Sequence, residues 1–204
     1  MLKTTGWLAP LLLVASTAHA SSTDMQVSGT IKPGACTVAF EGDGYVDFGE
    51  LQASELSQVL HNPLPKKYLT YSIQCSGPMP LGMHWADNRP GSAPVQAAEA
   101  FGLGLHKGER IGSSVIVYMP DSLQADGEAA TLWRSNGGPW KPTVAAASTA
   151  WTYGYNADPA NGPAAHASYA GTVMLSTVVV PLKDLDQSEQ IKLDGSSTLW
   201  LEYI

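Results

Sequence analysis

Charge is scarce in this 204-residue chain: Asp, Glu, Lys and Arg make up 14%, and the 11 basic residues never form a run longer than Lys66-Lys67. With a formal net charge of -7 there is little to neutralise phosphates, so no nucleic-acid partner is expected. Beyond the N-terminal segment no apolar run approaches the roughly 18 residues of a membrane helix, so no membrane insertion is expected either. Glycine-rich phosphate cradles are missing, because GLGLHKG at 102–108 lacks the lysine–hydroxyl pair and the strand-to-helix setting of such a loop. No Gly-x-Ser-x-Gly turn marks a nucleophile. His61, His84, His106 and His166 are scattered without the i, i+4 spacing of a helical metal site. Asp121, Asp126 and Glu128 share the stretch PDSLQADGEA but lack the regular spacing of a calcium loop. We therefore expect no catalytic residues, no metal and no cofactor.

What is present begins with MLKTTGWLAPLLLVASTAHA, one positive charge at Lys3, a short apolar stretch and small residues before Ser21. This is the layout of a cleavable secretory signal, with processing expected after Ala20. Residues 21–204 then form a single exported domain. Hydrophobic residues make up 44% of the chain, enough to bury a core and far from the composition of a disordered segment.

Cys36 and Cys75 are the only cysteines, and in an exported chain an even pair without metal-ligand spacing reads as a disulfide. Residues 25–32 alternate strictly, with Met25, Val27, Gly29 and Ile31 on one face. Residues 68–75 repeat the pattern and place Leu69, Tyr71, Ile73 and Cys75 together, which puts the bridge in the core or at its rim. Further strands are expected over 45–48, 82–86, 101–105, 111–119, 131–134, 150–155, 171–180 and 198–204, separated by Gly, Pro, Asn and Asp. Helical periodicity is confined to 94–100 and 182–187, each good for a turn or short helix. Many short strands with punctuating turns give an all-β sandwich.

Two loops stand out, 136–139 (NGGP) and 156–163. Trp140, next to the first, is the best candidate for an exposed tryptophan, and Tyr153 and Tyr155 precede the second; together they form a candidate ligand loop for a glycan. The chain's last stretch alternates again, with Leu199, Leu201 and Tyr203 on one face and Ile204 immediately after. A strand in that position leaves a carboxylate at the sheet edge for a basic partner.

The signal segment, VSGTIKPGACTV with Gly29 seven residues before Cys36, VDFGEL, LTYSIQC ending at Cys75, ADNRPGS, FGLGLHKGERIG and the penultimate Tyr203 follow one another in a telling order. In this order the sequence resembles fimbrial (pilus) subunits of the chaperone–usher pathway. More narrowly it is similar to the β-fimbria-like exported proteins grouped as DUF1120. The resemblance implies an immunoglobulin-like, pilin-type sandwich lacking its final strand, with an apolar groove open along one edge. A periplasmic chaperone would fill that groove first and a strand from a neighbouring subunit later, at an outer-membrane usher. By the same pattern Leu199, Leu201 and Tyr203 border the groove and contact the chaperone, which would anchor the Ile204 carboxylate.

One departure from the pattern concerns the donor segment. Only residues 21–24 precede Met25 after processing, where pilins carry a longer extension. Residues 25–31 are then either the donated strand itself or the subunit's own first strand, and the alternation suits both. The leading expectation is a structural, minor or tip subunit of a surface fimbria, serving adhesion or biofilm formation, with no enzymatic activity. The alternative is a stand-alone exported sandwich that recognises a glycan or surface ligand.

Overall fold

The computed structural model describes residues 34–204. The signal segment and the stretch carrying Met25, Val27, Gly29 and Ile31 lie outside the described residues. Seven principal strands follow in order: β1 (Cys36–Phe40), β2 (Lys67–Asp87), β3 (Gly112–Tyr118), β4 (Leu132–Ser135), β5 (Thr152–Tyr155), β6 (Ala165–Val179) and β7 (Ser197–Tyr203). Two-residue strands extend the sheets, and the helical elements among the described residues are short 3-10 turns. No helix among them is long and apolar enough to cross a membrane.

All ladders between these strands are antiparallel, and they form two curled sheets packed as a sandwich. In the first sheet β1 pairs with the first half of β2, which pairs on its other flank with β6, then β3 and the short strand Phe101–Gly102. In the second sheet β7 pairs with the second half of β2, which is flanked on its other side by β5, then β4 and Lys141–Pro142. β2 thus belongs to both sheets. The expected break at Gly77, Pro78 and Pro80 is instead a bend inside one 21-residue strand.

Alternation explains which side chains enter the core. Along β2, Tyr71, Ile73, Leu81, Met83 and Trp85 are buried while Thr70, Ser72 and Gln74 are exposed. The odd-numbered positions keep facing inward across the bend. Around them gather Phe101, Tyr118, Leu132, Tyr153, Tyr155, Tyr169, Val173 and Leu199. Five of the eight tyrosines are therefore core residues. Each brings a hydroxyl that needs a partner once water is gone. Tyr155 donates to the Ala170 carbonyl at 2.9 Å and lies 2.6 Å from the Tyr71 hydroxyl. Trp85 Nε1 donates to Tyr118 at 2.8 Å, Tyr153 donates to the Ala146 carbonyl at 3.0 Å, and Tyr169 donates to the Met79 carbonyl. A smaller cluster of Leu64, Leu103, Ile111, Val179, Val180, Leu182 and Leu185 lies against Phe48 and Leu51.

Cys36 and Cys75 stand directly opposite each other on β1 and β2, with Cα atoms 4.0 Å apart, and are joined by a disulfide. Both are part-buried against the main core, so the bridge sits at the core's rim. Three expected elements differ. Residues 45–48 alternate in burial but pair with no strand: Gly42, Asp43 and Gly44 turn the chain with positive φ, and Asp47 Oδ1 accepts the Gly49 N–H at 2.8 Å. The expected strand at 101–105 is interrupted at Gly104, whose φ is +86°. Residues 94–100 form no helix, while the stretch from 182 yields the 3-10 turn Leu182–Asp184.

Candidate functional site

The last strand has a strand partner on one edge alone among the described residues. β7 runs antiparallel to β2 from Ser197 opposite Asp87 to Tyr203 opposite Leu81. Among the described residues no strand pairs with its other edge. β1 is likewise paired with β2 alone. β6 and β5 occupy one flank of β2, leaving β1 and β7 on the other, one in each sheet. Two strand edges therefore border the same side of the sandwich.

The residues expected to line that edge divide between three surroundings. Leu199 is buried and Leu201 part-buried, both packed on the core opposite Trp85 and Met83. Tyr203 is 54% exposed, and its hydroxyl accepts the backbone N–H of Cys36 at 2.9 Å. Ile204, also exposed, folds over the outer surface of Gly82: a Cβ on that glycine would come within 3.0 Å of Ile204 Cδ1.

Trp140, Tyr153 and Tyr155 do not form one ligand loop. Tyr153 and Tyr155 are fully buried, and burial pushes the Tyr153 hydroxyl up to about 12 and raises that of Tyr155 as well. Both belong to β5 and point into the sandwich, as their i, i+2 spacing on an alternating strand requires. Trp140 is half-buried on the opposite, outer surface of that strand. Its Cζ3 lies within 3.0 Å of where a Gly154 Cβ would be, so only glycine lets the indole lie down there.

On the outer surface of the second sheet, sequence reading singled out Trp140 but missed the residues that β2 and β7 place there. On β7, Thr198, Trp200 and Glu202 face away from the core. The Trp200 indole stacks on the His84 imidazole, with centroids 4.1 Å apart and planes 11° from parallel. His84 Nε2 lies 2.7 Å from Glu202 Oε2 and 3.2 Å from Thr152 Oγ1. The alternation that places Leu199 and Leu201 inward also places Trp200 and Glu202 outward, and that was the available signal.

Of the remaining polar candidates, Asp126 and His166 hold the chain together. Asp126, one of the three acids of the 121–128 stretch, adopts φ +52° and accepts the N–H groups of Ala167 and Ser168, each at 2.9 Å. Its Oδ2 lies 2.9 Å from His166 Nδ1. The hydrogen bond to His166, then that to Ser168, holds its carboxyl below the usual range. This arrangement pins the bulge in β6 between His166 and Ser168. No group of three or more His, Cys, Asp or Glu converges among the described residues.

Residues 25–100 match the family model described as a protein of unknown function (DUF1120). The match takes in both cysteines and the whole of β2, and it supports that family. No curated protein matches the chain.

Proposed function

We propose that this protein is an exported structural subunit of a surface fimbria, whose sandwich is completed by a strand from another molecule. The observation that carries the reading is the pair of edges on one flank of β2: β1 and β7 each have a single strand partner among the described residues, and they lie in opposite sheets. A strand laid beside β7 would gain backbone hydrogen bonds along residues 197–203 and would cover the half-buried Leu201. An edge of this kind, left bare, invites uncontrolled pairing between chains, which is why a dedicated periplasmic chaperone would hold it before assembly at an outer-membrane usher. Residues 25–31 supply the donated strand or the subunit's own first strand. Adhesion or biofilm formation is the role such a fibre would serve, with no catalysis.

The test is co-expression with a periplasmic chaperone of the fimbrial type. The expected result is a one-to-one complex that polymerises when the chaperone is displaced. A chain that purifies alone as a stable monomer and ignores the chaperone overturns the reading. Replacing Leu201 and Tyr203 together by Asp is expected to abolish capture. A peptide of residues 21–32 added to the complex separates the two roles of the N-terminal segment: displacement of the chaperone marks it as the donor, and no displacement marks a terminating subunit.

The second reading, a self-contained exported binding module, is favoured by one specific feature, the tryptophan-bearing outer face of the second sheet.

A further inference from the structure

The outer face of the second sheet carries two clefts built around a fixed row of side chains. Ser135, Thr152, His84 and Trp200 lie side by side across β4, β5, β2 and β7, each in register with the next. Stacking on Trp200 and the contacts of Nε2 with Glu202 Oε2 and Thr152 Oγ1 hold the His84 ring in place. The first cleft, about 620 Å³, is lined by Trp200, His84, Asp87, Pro90, Gln96 and Thr149, among others. The second, about 300 Å³, is lined by Trp140, Ser135, Gly138, Thr152, Glu202 and Ile204. Both are of a size that holds a small ligand or a short stretch of a longer one.

The chemistry of the lining selects the ligand. Neither cleft is lined by a Lys or Arg, and the chain carries a net charge of -7, so an anion finds no counter-charge. Glu202 holds His84 with Oε2, while among the described residues Oε1 takes no hydrogen bond and the carboxylate is half exposed. A carboxylate only accepts, so the ligand must donate. A wholly apolar ligand would strip water from that oxygen and return nothing. Trp200 is 46% exposed and Trp140 half-buried, so each offers indole surface to a flat apolar partner. Hydroxyl donors on a ring with an apolar C–H face describe a neutral sugar.

We infer that this outer face binds a neutral saccharide, with Trp140 and Trp200 stacking against sugar rings and Glu202 accepting hydroxyl protons between them. The surface is the opposite one to that which Leu199 and Leu201 present to the core, so the inference does not rest on strand addition at the edge of β7. A subunit in a fibre would keep it on show.

The experiment uses the exported chain, alone or in complex with its chaperone. Calorimetric titration and tryptophan fluorescence are run with neutral hexasaccharides of β-linked glucose, α-linked glucose, mannose and N-acetylglucosamine, with sialyllactose and choline as charged controls. At least one neutral hexasaccharide is expected to bind and perturb the fluorescence. Trp200→Ala and Glu202→Gln are each expected to weaken that binding about tenfold, as loss of one stacking or hydrogen-bonding partner does. Melting temperature is read for both, and Trp200→Phe, which keeps an aromatic face, is expected to retain binding. Three results overturn the inference: no neutral hexasaccharide bound at millimolar concentration, binding of sialyllactose or choline alone, or neutral binding that survives both Trp200→Ala and Glu202→Gln in folded protein.

Discussion

The Tyr203 hydroxyl accepts the backbone N–H of Cys36, joining the last strand to the first one described across 2.9 Å. Cys36 faces Cys75 on β2, while the neighbouring ladder bond runs from Ser76 N–H to the Ala35 carbonyl. The Cys36 N–H therefore points away from β2 toward the bare flank, where Tyr203 meets it. Replacing Tyr203 by Phe removes only this acceptor. The expected loss is about 1 kcal/mol or less, because water reaches the site, with faster amide exchange at Cys36 in hydrogen-exchange measurements. Unchanged exchange there would show that the bond does not hold the two strands together.

Reduction of Cys36–Cys75 reaches further. The bridge closes a loop with a sequence separation of 39, for which the chain-entropy estimate is about 4 kcal/mol. Denaturant midpoints compared with and without reductant are expected to differ by that order, and Cys36→Ser is expected to lower exported yield. Equal midpoints would mean that β1 contributes nothing to the cooperative unit.

The Tyr71–Tyr155 pair predicts an asymmetry. Tyr155 spends its hydroxyl proton on the Ala170 carbonyl, so Tyr71 is the donor between them. Tyr71→Phe leaves Tyr155 still bonded and costs about 1 kcal/mol. Tyr155→Phe leaves the buried Tyr71 O–H without an acceptor and costs about 2–3 kcal/mol. A double-mutant cycle in urea checks both the order and the coupling.

Gly171 lies directly opposite Tyr71 in the ladder, and a Cβ there would come within 2.6 Å of the Tyr71 hydroxyl oxygen and 2.9 Å of Leu123 Cδ2. Gly171→Ala is expected to cost about 1–3 kcal/mol by overpacking. Combined with Tyr71→Phe, which removes the closest atom, the loss is expected to be smaller than the sum. Strict additivity would reject the contact.

Alkaline pH tests the whole tyrosine core. Burial pushes Tyr71 and Tyr118 well above the ordinary value of 10.0, and Tyr153 up to about 12. The folded state thus favours the neutral hydroxyl. Its stabilisation is complete below pH 10, where the unfolded chain is neutral as well, and falls as pH climbs from 10 through the folded values. Tyr71, Tyr118, Tyr153, Tyr155 and Tyr169 are expected to ionise only with loss of ellipticity, seen as a cooperative rise in tyrosinate absorbance. Ionisation of these five while the ellipticity is still native would contradict this.

Alternation made the strands and their buried faces legible. Tyr71, Ile73 and Cys75 face inward as the pattern of 68–75 requires, and Leu199 does so at the other end of the chain. The continuity of β2 was hidden because Gly77, Pro78 and Pro80 read as a stop. Yet Met79 and Pro80 still pair with His166 and Ala165 of β6, beside its bulge, where a missing donor breaks no regular ladder. Tyr153 and Tyr155 were drawn toward a binding role by the loop that follows them, though their spacing already placed them on one buried face. The His84–Trp200 stack needed the register of β2 and β7, which join residues more than a hundred positions apart, and no local pattern encodes that.

A single backbone threading both layers has a mechanical corollary. Tension on β7 is carried in shear by the far half of β2, while β1 is tied covalently to its near half, so one layer cannot slide over the other without bending the strand they share. A pull applied along that shared strand would be resisted by both layers at once.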